Sequence, residues 1–388
     1  MPSATEESAR AAARRGRKRA EASPPEPEDL DGPALLRRVL GALRVPVLDV
    51  AVGHAQDARR GARYLVRVAP NVRLAQLQTR AADIGRAMRG LGTPIIENVP
   101  GDDRIAIEFL ATGAEALPLW PAVDALPTAA PGTLPVLIGL DTSGAPILQD
   151  LAVAPHMLVA GSSGTGKSTL MCQVLVSLAA RVPPSDLELM LVDPKSTDFA
   201  NFRGLPHLNG RPIFTEPVDV VEAVEALLNT EFAARARVLQ DAGHVSVAEM
   251  NREAGKTVIR PIVIVVEEFA DVIDALEPRQ ERPAFLRSLI RIGQRARAIA
   301  IHLIVVTQRP SKEILPARLT ANLPVRVCLQ VPQLSDSMVA LGSPGAERLR
   351  GRGDLLVRRD GLLLRGRGLY APRAEVAAFV GRMKAPST

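Results

Sequence analysis

The chain has 388 residues, a formal net charge of +6, and 47% apolar but only 3% aromatic residues, so it can form one large or two medium α/β domains with aliphatic cores. Its basic charge permits a polyanionic partner and is equally typical of a solvated surface. The chain has two cysteines, both in apolar segments, which excludes a disulfide framework. No apolar run reaches the roughly 18 residues that cross a bilayer, which excludes a membrane segment. We therefore expect a cytoplasmic protein.

The first segment, residues 1–33, mixes Ala, Glu, Arg and Pro and has no apolar period. Such a composition cannot offset its ordering entropy, which predicts a disordered charged tail. The basic cluster at residues 14–19 is typical of a solvated tail, and contact with nucleic acid is the alternative.

Residues 34–117 are predicted to form a small α+β domain. The run at residues 64–68 indicates a strand, and the apolar period over residues 74–91 predicts an amphipathic helix. Two further apolar runs, at residues 95–99 and 105–109, are separated by a Pro-Gly-Asp turn and predict a hairpin.

A larger domain, residues 136–375, is predicted after a Pro-rich linker at residues 118–135, and residues 376–388 are predicted to be a C-terminal tail. Helical patterns separate the short apolar runs of this domain, which lie at residues 187–192, 262–266, 302–306 and 325–331. Strands that alternate with helices predict a mainly parallel sheet, with a ligand site at the carboxyl ends of the strands.

The apolar run at residues 156–160 leads directly into a phosphate-binding loop with the spacing G-x-x-x-x-G-K-S. Its glycines let backbone N–H groups turn towards a β-phosphate, Lys167 reaches the phosphate oxygens, and the Ser168 hydroxyl binds Mg²⁺. The helical pattern that follows would place a positive helix N-terminus against the phosphates, and a chance match of the loop pattern is the alternative. The predicted nucleotide-binding residues are Gly161, Ser162, Ser163, Gly164, Thr165, Gly166, Lys167, Ser168 and Thr169.

The strand predicted at residues 262–266 ends in Glu267 and Glu268. Since Mg²⁺ needs oxygen ligands and an attacking water needs a base, we assign Glu267 to the metal and Glu268 to the water; the alternative is that both acids cap a buried strand. Gln308 ends the next strand and is predicted to sense a γ-phosphate, or only to end that strand. No Asn-Lys-x-Asp motif for guanine occurs, so the predicted ligands are ATP and Mg²⁺.

Several stretches, in order, resemble the FtsK/SpoIIIE family of double-stranded DNA translocases. Residues 155–161 lead into the phosphate loop as in that family, and Val192-Asp193-Pro194-Lys195 follows one strand later. Residues 267–271 resemble the family's Asp-Glu-Phe-Ala-Asp with the first acid changed to Glu. Residues 60–112 are similar to the family's small domain ahead of the motor. The remaining matches lie at residues 204–208, 296–298, 301–303, 307–310, 345–347 and 351–354.

The resemblance implies a RecA-like P-loop NTPase core that hydrolyses ATP at the subunit interfaces of a ring, usually a hexamer, around duplex DNA. It implies that Arg297 is a finger from the neighbouring subunit, because a planar guanidinium can neutralise the charge of the transition state. A solvated helix face is the alternative for Arg297, and Arg295 is a competitor for the role. The nucleotide roles above are implied for Lys167, Ser168, Glu267, Glu268 and Gln308.

A motor that slides along duplex DNA needs exchangeable contacts from basic side chains to phosphates. The arginines predicted to line such a channel are Arg348, Arg350, Arg352, Arg358 and Arg359, with Arg365 and Arg367 in the same cluster. The predicted function is therefore an ATP-driven translocase of chromosomal, plasmid or mobile-element DNA. The alternatives are a secretion-type ATPase that moves polypeptide and a non-hydrolysing ATP-binding scaffold, the latter motivated by Glu267.

Overall fold

A computed structural model describes residues 32–57, 61–88, 91–99, 101–110 and 116–384. The tail predicted at residues 1–33 lies outside the described residues up to residue 31. In the described part of the chain the strands form two sheets, one of four strands in the N-terminal region and one of nine strands in the rest.

The small N-terminal domain is an antiparallel sheet with three helices. Its elements are α1 (Gly32–Ala42), β1 (Val47–Asp57), β2 (Gly61–Val68), α2 (Leu74–Thr79), α3 (Ala81–Ala87), β3 (Ile95–Asn98) and β4 (Ile105–Leu110). The strand order is β1-β2-β4-β3, and β3 and β4 form the predicted antiparallel hairpin. The single helix predicted over residues 74–91 is two helices, because Arg80 leaves the helical range with φ −99° and ψ 6°.

The larger domain is built on the nine-stranded sheet, with the order β6-β5-β13-β12-β11-β7-β10-β9-β8. Its strands are β5 (Pro135–Asp141), β6 (Pro146–Asp150), β7 (His156–Ala160), β8 (Glu188–Val192), β9 (Ile262–Val266), β10 (Ile301–Thr307), β11 (Val325–Leu329), β12 (Asp354–Arg359) and β13 (Leu362–Arg367). Its helices are α4 (Leu119–Asp124), α5 (Lys167–Arg181), α6 (Pro217–Ala242), α7 (Val247–Ala254), α8 (Phe269–Ala275), α9 (Glu281–Ile299), α10 (Ala317–Thr320), α11 (Leu334–Ala340) and α12 (Arg373–Lys384), with 3-10 turns at Ala200–Phe202, Pro206–Leu208 and Ala346–Arg348.

The sheet has two halves of different character. Strands β11, β7, β10, β9 and β8 are parallel and form the parallel half. Strands β6, β5, β13 and β12 pair antiparallel and form the antiparallel half, which joins β11 through β12. The runs predicted as parallel strands correspond to β8, β9, β10 and β11, which confirms the mainly parallel α/β core.

Strand β9, in the parallel half, is apolar at every position because both faces of the sheet are covered there. Along β9, Val263 and Val265 pack in one core cluster with residues of α5, whereas Ile264 and Val266 pack in a second cluster with residues of α6 and α9. Because β9 has no solvent-facing side, its sequence is a continuous apolar run without polar alternation.

Two segments predicted to lie outside the larger domain contribute to its core. The predicted linker contains α4, whose Leu119 and Val123 are buried. The predicted C-terminal tail contains most of α12, whose Val376 and Val380 are buried in the same cluster. In the C-terminal segment, Val376, Phe379 and Val380 follow helical spacing, so the sequence contained a signal for burial that the predicted boundary missed.

Candidate nucleotide-binding site

The phosphate-binding loop connects β7 to α5 at the carboxyl end of the parallel half. Gly164 and Gly166 have φ angles of 74° and 112°, in the left-handed region that favours glycine. A Cβ atom on Gly161 would lie 2.9 Å from the Cβ atom of Leu329 in β11, so this glycine lets the two strands approach closely. The glycines of the motif are therefore required by backbone conformation and by packing.

Neighbouring segments hold the loop in place. The Ser162 N–H donates to the Gln330 carbonyl at 2.8 Å, and the Thr165 hydroxyl donates to the Ser162 carbonyl at 2.7 Å. The Gly353 N–H donates to the Thr165 carbonyl at 3.0 Å. Since α5 begins at Lys167, the next residues, which include the predicted Ser168 and Thr169, form the first turn of this helix, where backbone N–H groups are open to an anion.

The side chain of Lys167 is folded back onto its own loop. Its Nζ donates to the Ser162 carbonyl at 3.2 Å, and the residue is only 5% exposed. Burial lowers the pKa of Lys167, while the negative charges of Glu267 and Glu268 raise it. The loop after β7 and the acids after β9 lie at the same end of the parallel half, because both strands flank β10.

Glu267 follows directly after β9 and is almost completely buried. Its Oε2 has no hydrogen-bond partner among the described residues. The pKa of Glu267 is raised to about 8, mainly by burial and then by the charge of Asp198, while the charge of Lys167 opposes the shift. A buried carboxylate with an unpaired oxygen beside a phosphate-binding loop fits a hydrated divalent cation, which would supply the missing positive charge.

Glu268 is buried in a left-handed backbone conformation with φ 46°, which is uncommon for a non-glycine residue. Its Oε1 accepts from the Thr307 hydroxyl at 3.3 Å and from the Gln308 N–H at 3.1 Å. The structure therefore brings Glu268 and Gln308 together at the ends of β9 and β10, and it does so through the backbone of Gln308.

The sequence analysis assigned no role to the residues that follow β8, which lie at the same edge. Asp193 Oδ2 accepts from the N–H groups of Asp198 and Phe199 at 2.9 and 3.0 Å, and this fixes the turn. The Lys195 Nζ lies 3.7 Å from Glu268 Oε2 and 3.3 Å from Asp271 Oδ2. The position of these polar residues directly after a buried strand was the signal that could have placed them in the site.

A cavity of about 460 Å³ opens beside the first turn of α5. It adjoins Gly164, Gly166 and Thr169, and much of its remaining lining is apolar. This lining includes Leu170, Leu329, Leu355, Leu369 and Tyr370, with Arg352 and Arg367 as polar members. Such a cavity can accept a flat base attached to phosphates that lie in the loop.

Four of the five arginines predicted to contact DNA bond to backbone carbonyls within the chain. Arg348 Nη1 donates to the Gln78 carbonyl at 2.9 Å. Arg350 donates to the Leu91 carbonyl, Arg359 to the Leu148 carbonyl, and Arg358 to the Leu341 carbonyl. Of the five, only Arg352 is classed as exposed. DNA contact by these residues stays a prediction, and Arg352 has the most accessible side chain.

Arg365 has a different environment from that expected for a channel residue. Its side chain is buried and pairs with Asp354, with Nη2 and Oδ2 at 2.8 Å. Its Nη1 also donates to the carbonyls of Thr93 and Glu108 in the small domain. The expectation that Arg365 lines a DNA channel is corrected, because a buried guanidinium is not accessible to phosphates in this conformation.

Arg297, the predicted finger, belongs to α9, and its side chain lies outside the described part of the structure.

Among the described residues, no helix has the length and apolar character needed to cross a bilayer. A parallel sheet with a glycine-rich loop after β7 and adjacent acids after β9 defines the class of P-loop NTPases.

The comparison with known sequences gives the family. The chain belongs to the FtsK/SpoIIIE family, whose sequence model matches residues 124–312. It is 32% identical over 339 residues to the DNA translocase FtsK of Streptomyces coelicolor, an alignment that covers 83% of this chain and 36% of that protein. The chain spans 66% of the length of the FtsK of Haemophilus influenzae and 35% of that of Vibrio vulnificus.

Two solved structures have the same fold. The conjugation coupling protein TcpA of pCW3, in a monomer form with ATPγS, aligns with a TM-score of 0.60 at 20% identity and covers 91% of this chain and 99% of that one. The cytoplasmic domain of the Type VII secretion ATPase EccC of Thermomonospora curvata aligns with a TM-score of 0.58 at 26% identity, over 69% of this chain and 33% of that one.

Proposed function

We propose that the chain is an ATP-driven translocase that moves along double-stranded DNA as a ring. The central supporting observation is the convergence of Lys167, Glu267 and Glu268 at one sheet edge, with an oxygen of each acid left without a hydrogen bond among the described residues. The named relatives in the family are DNA translocases, which supports DNA as the polymer. ATP and cellular DNA occur together in the cytoplasm, so we propose a cytoplasmic location.

The chain's own groups account for the steps of hydrolysis. Backbone N–H groups of the loop would bind the β-phosphate, and Lys167 would exchange the Ser162 carbonyl for phosphate oxygens. The attacking water forms its bond to the γ-phosphorus as the bond from phosphorus to the ADP oxygen breaks, and a water proton passes to Glu268. Gln308 would contact the γ-phosphate, so its contact with Glu268 would link recognition to the base.

The residues present fit Mg²⁺. The Ser168 hydroxyl and, through a water, Glu267 would hold the ion, and the unpaired Oε2 of Glu267 is the group that lacks a partner without it. When bound, Mg²⁺ neutralises phosphate charge. The cavity beside Thr169 would take the adenine ring, since its apolar lining suits a flat base.

The ring and the arginine finger are further parts of this proposal. We propose a hexamer in which Arg297 reaches the nucleotide of the neighbouring subunit and neutralises transition-state charge. Mixing Arg297→Ala subunits with Lys167→Ala subunits tests the finger. We expect mixed rings to recover part of the hydrolysis, because some sites then combine an intact loop with an intact finger, and the absence of any recovery would contradict a finger in trans.

Steady-state ATP hydrolysis with and without kilobase duplex DNA tests the function, with Lys167→Ala as the control for contaminating activity. We expect strong stimulation by duplex DNA. Robust basal hydrolysis without stimulation would favour the secretion-type alternative. No hydrolysis under any condition would favour the scaffold alternative that Glu267 motivates.

A further inference from the structure

The two carboxylate oxygens of Glu268 differ in their surroundings. Oε1 accepts two hydrogen bonds from the end of β10, through the Thr307 hydroxyl and the Gln308 N–H. Oε2 is buried and has no hydrogen-bond partner within the described ranges. Because the lone pairs of Oε1 are engaged, Oε2 is the oxygen that is available to a water.

One cation lies beside Oε2. The Lys195 ammonium is 3.7 Å away from it, and it is held from the other side by Asp271 Oδ2 at 3.3 Å. The lysine belongs to the turn after β8 that Asp193 fixes, since the Asp193 carboxylate accepts two backbone N–H groups of that turn. Both the backbone and the ammonium of Lys195 therefore have defined positions.

The contacts of the Glu268 carboxylate help to hold its backbone in a left-handed conformation. A non-glycine residue at φ 46° costs free energy, and such a conformation persists only where surrounding contacts fix it. Contacts from the segments after β8 and at the end of β10 engage different oxygens of the carboxylate, with Lys195 beside Oε2 and Thr307 and Gln308 bonded to Oε1. Together they fix the direction in which Oε2 points.

We propose that Lys195 is a positioning residue for hydrolysis, which acts through Glu268 by holding Oε2 in line with the water, with Asp271 as its counter-ion. This inference rests on the proposed function. It assigns a role to Lys195 that is distinct from phosphate binding by Lys167. The ammonium accepts no proton in the reaction, and the proton from the water still passes to Glu268.

Lys195→Met is the first test, with Lys256→Met, at an exposed lysine just after α7, as the matched control. We expect kcat to fall about ten- to a hundredfold, since a misplaced base loses alignment with the water, and KM for ATP to change by less than about threefold. Lys195→Arg should restore most of the rate, because a guanidinium can contact both carboxylates. Lys195 is 44% exposed, so we expect all these variants to fold.

Binding of ATPγS and the thermal midpoint are measured for every variant. A loss of nucleotide affinity in Lys195→Met that matches the loss of rate would overturn the inference, because Lys195 would then bind phosphate directly. An unchanged kcat in Lys195→Met would overturn it as well. Asp271→Asn, which keeps Lys195 but removes its counter-ion, should lower kcat by a smaller factor.

A double-mutant cycle decides whether Lys195 acts through Glu268. In a Glu268→Gln background we expect Lys195→Met to leave the residual rate unchanged, because the group that it positions is already lost. Additive losses would overturn the inference. Absence of hydrolysis in the wild type would overturn both the proposed function and this role, whereas normal wild-type hydrolysis with a fully active Lys195→Met would overturn this role alone.

Discussion

The two halves of the nine-stranded sheet place their charged side chains in different ways. In the parallel half, Lys167, Glu267 and Glu268 follow directly after strands or loops that end at one edge, so the topology alone brings them together. In the antiparallel half, the arginines of β13 and of the segment before β12 contact distant parts of the chain, including the small domain. The parallel half therefore has acidic oxygens without a hydrogen bond among the described residues, whereas arginines of the antiparallel half bond to carbonyls of the small domain.

The two halves differ in how well the role of a charged residue can be predicted from the sequence around it. A catalytic group of a parallel sheet is recognised from its position after a strand, whereas an arginine is recognised only when its partner is known. Arg348 and Arg365 bond to carbonyls that are 270 and 272 residues away in sequence. A cluster of basic residues therefore indicates neither DNA contact nor a structural role until the partners are seen.

The largest expected effect concerns the parallel half. Lys167→Ala removes the ammonium of the phosphate-binding loop, and we expect ATP hydrolysis to be abolished while the thermal midpoint stays close to that of the wild type, because the loop lies at the edge of the sheet. Hydrolysis and calorimetry on the same preparation measure both. DNA-stimulated hydrolysis that survives in this variant would refute the site assignment.

The next effect concerns the antiparallel half. Arg365→Met leaves Asp354 as a buried charge without its partner, and removal of one member of a buried ion pair costs about 3–5 kcal/mol in the free energy of unfolding. Urea unfolding measures this loss. Arg348→Met, at a part-exposed interdomain contact, is the control and should cost less than about 1.5 kcal/mol.

The double variant Arg365→Met with Asp354→Leu sharpens this measurement. We expect it to be more stable than Arg365→Met alone, because it no longer buries an unpaired carboxylate. If the single variant loses less than about 1 kcal/mol, the charge of Asp354 does not depend on Arg365 in the folded state, which would contradict a buried ion pair.

We expect the free energy of unfolding to depend on pH through His156, which lies at the amino end of β7. Burial lowers the pKa of His156 from 6.5 to about 4, and its Nδ1 accepts from the Leu303 N–H. The unfolded chain therefore binds a proton that the folded chain does not, and stability present above pH 6.5 is lost as the pH falls towards 4. His156→Gln should reduce this dependence by about 1.4 kcal/mol per pH unit in urea unfolding without nucleotide. An unchanged slope would mean that His156 does not titrate on unfolding.

The smallest expected effect is on the salt dependence of duplex binding, which should differ between the exposed Arg352 and an arginine bonded to a carbonyl. Arg352→Ala should reduce the salt dependence of duplex binding by about one unit of slope, since one phosphate contact is lost. Arg348→Ala should leave the slope unchanged, because its guanidinium bonds to a carbonyl of the small domain. Binding is measured by anisotropy without nucleotide. Equal slopes for both variants and the wild type would exclude Arg352 from the DNA interface.

The sequence predicted the parallel core because its strands are short, mostly apolar runs separated by helical patterns, and it predicted the loop because the glycine spacing is local. It did not predict α4, since its buried positions, Leu119 and Val123, lie in a proline-rich stretch. It did not predict the contact of Lys195 with Glu268, which depends on the order of β8, β9 and β10 in the sheet. Strand order follows from packing of the whole chain and is not encoded near either residue.

Displacement of a third strand from a kilobase duplex tests the central claim most directly, because a triplex is removed only when a motor travels along the double helix. We predict that the wild-type protein with ATP and Mg²⁺ displaces the third strand, that ATPγS does not replace ATP, and that Lys167→Ala is inactive. Hydrolysis of ATP at a normal rate without any displacement would contradict the account.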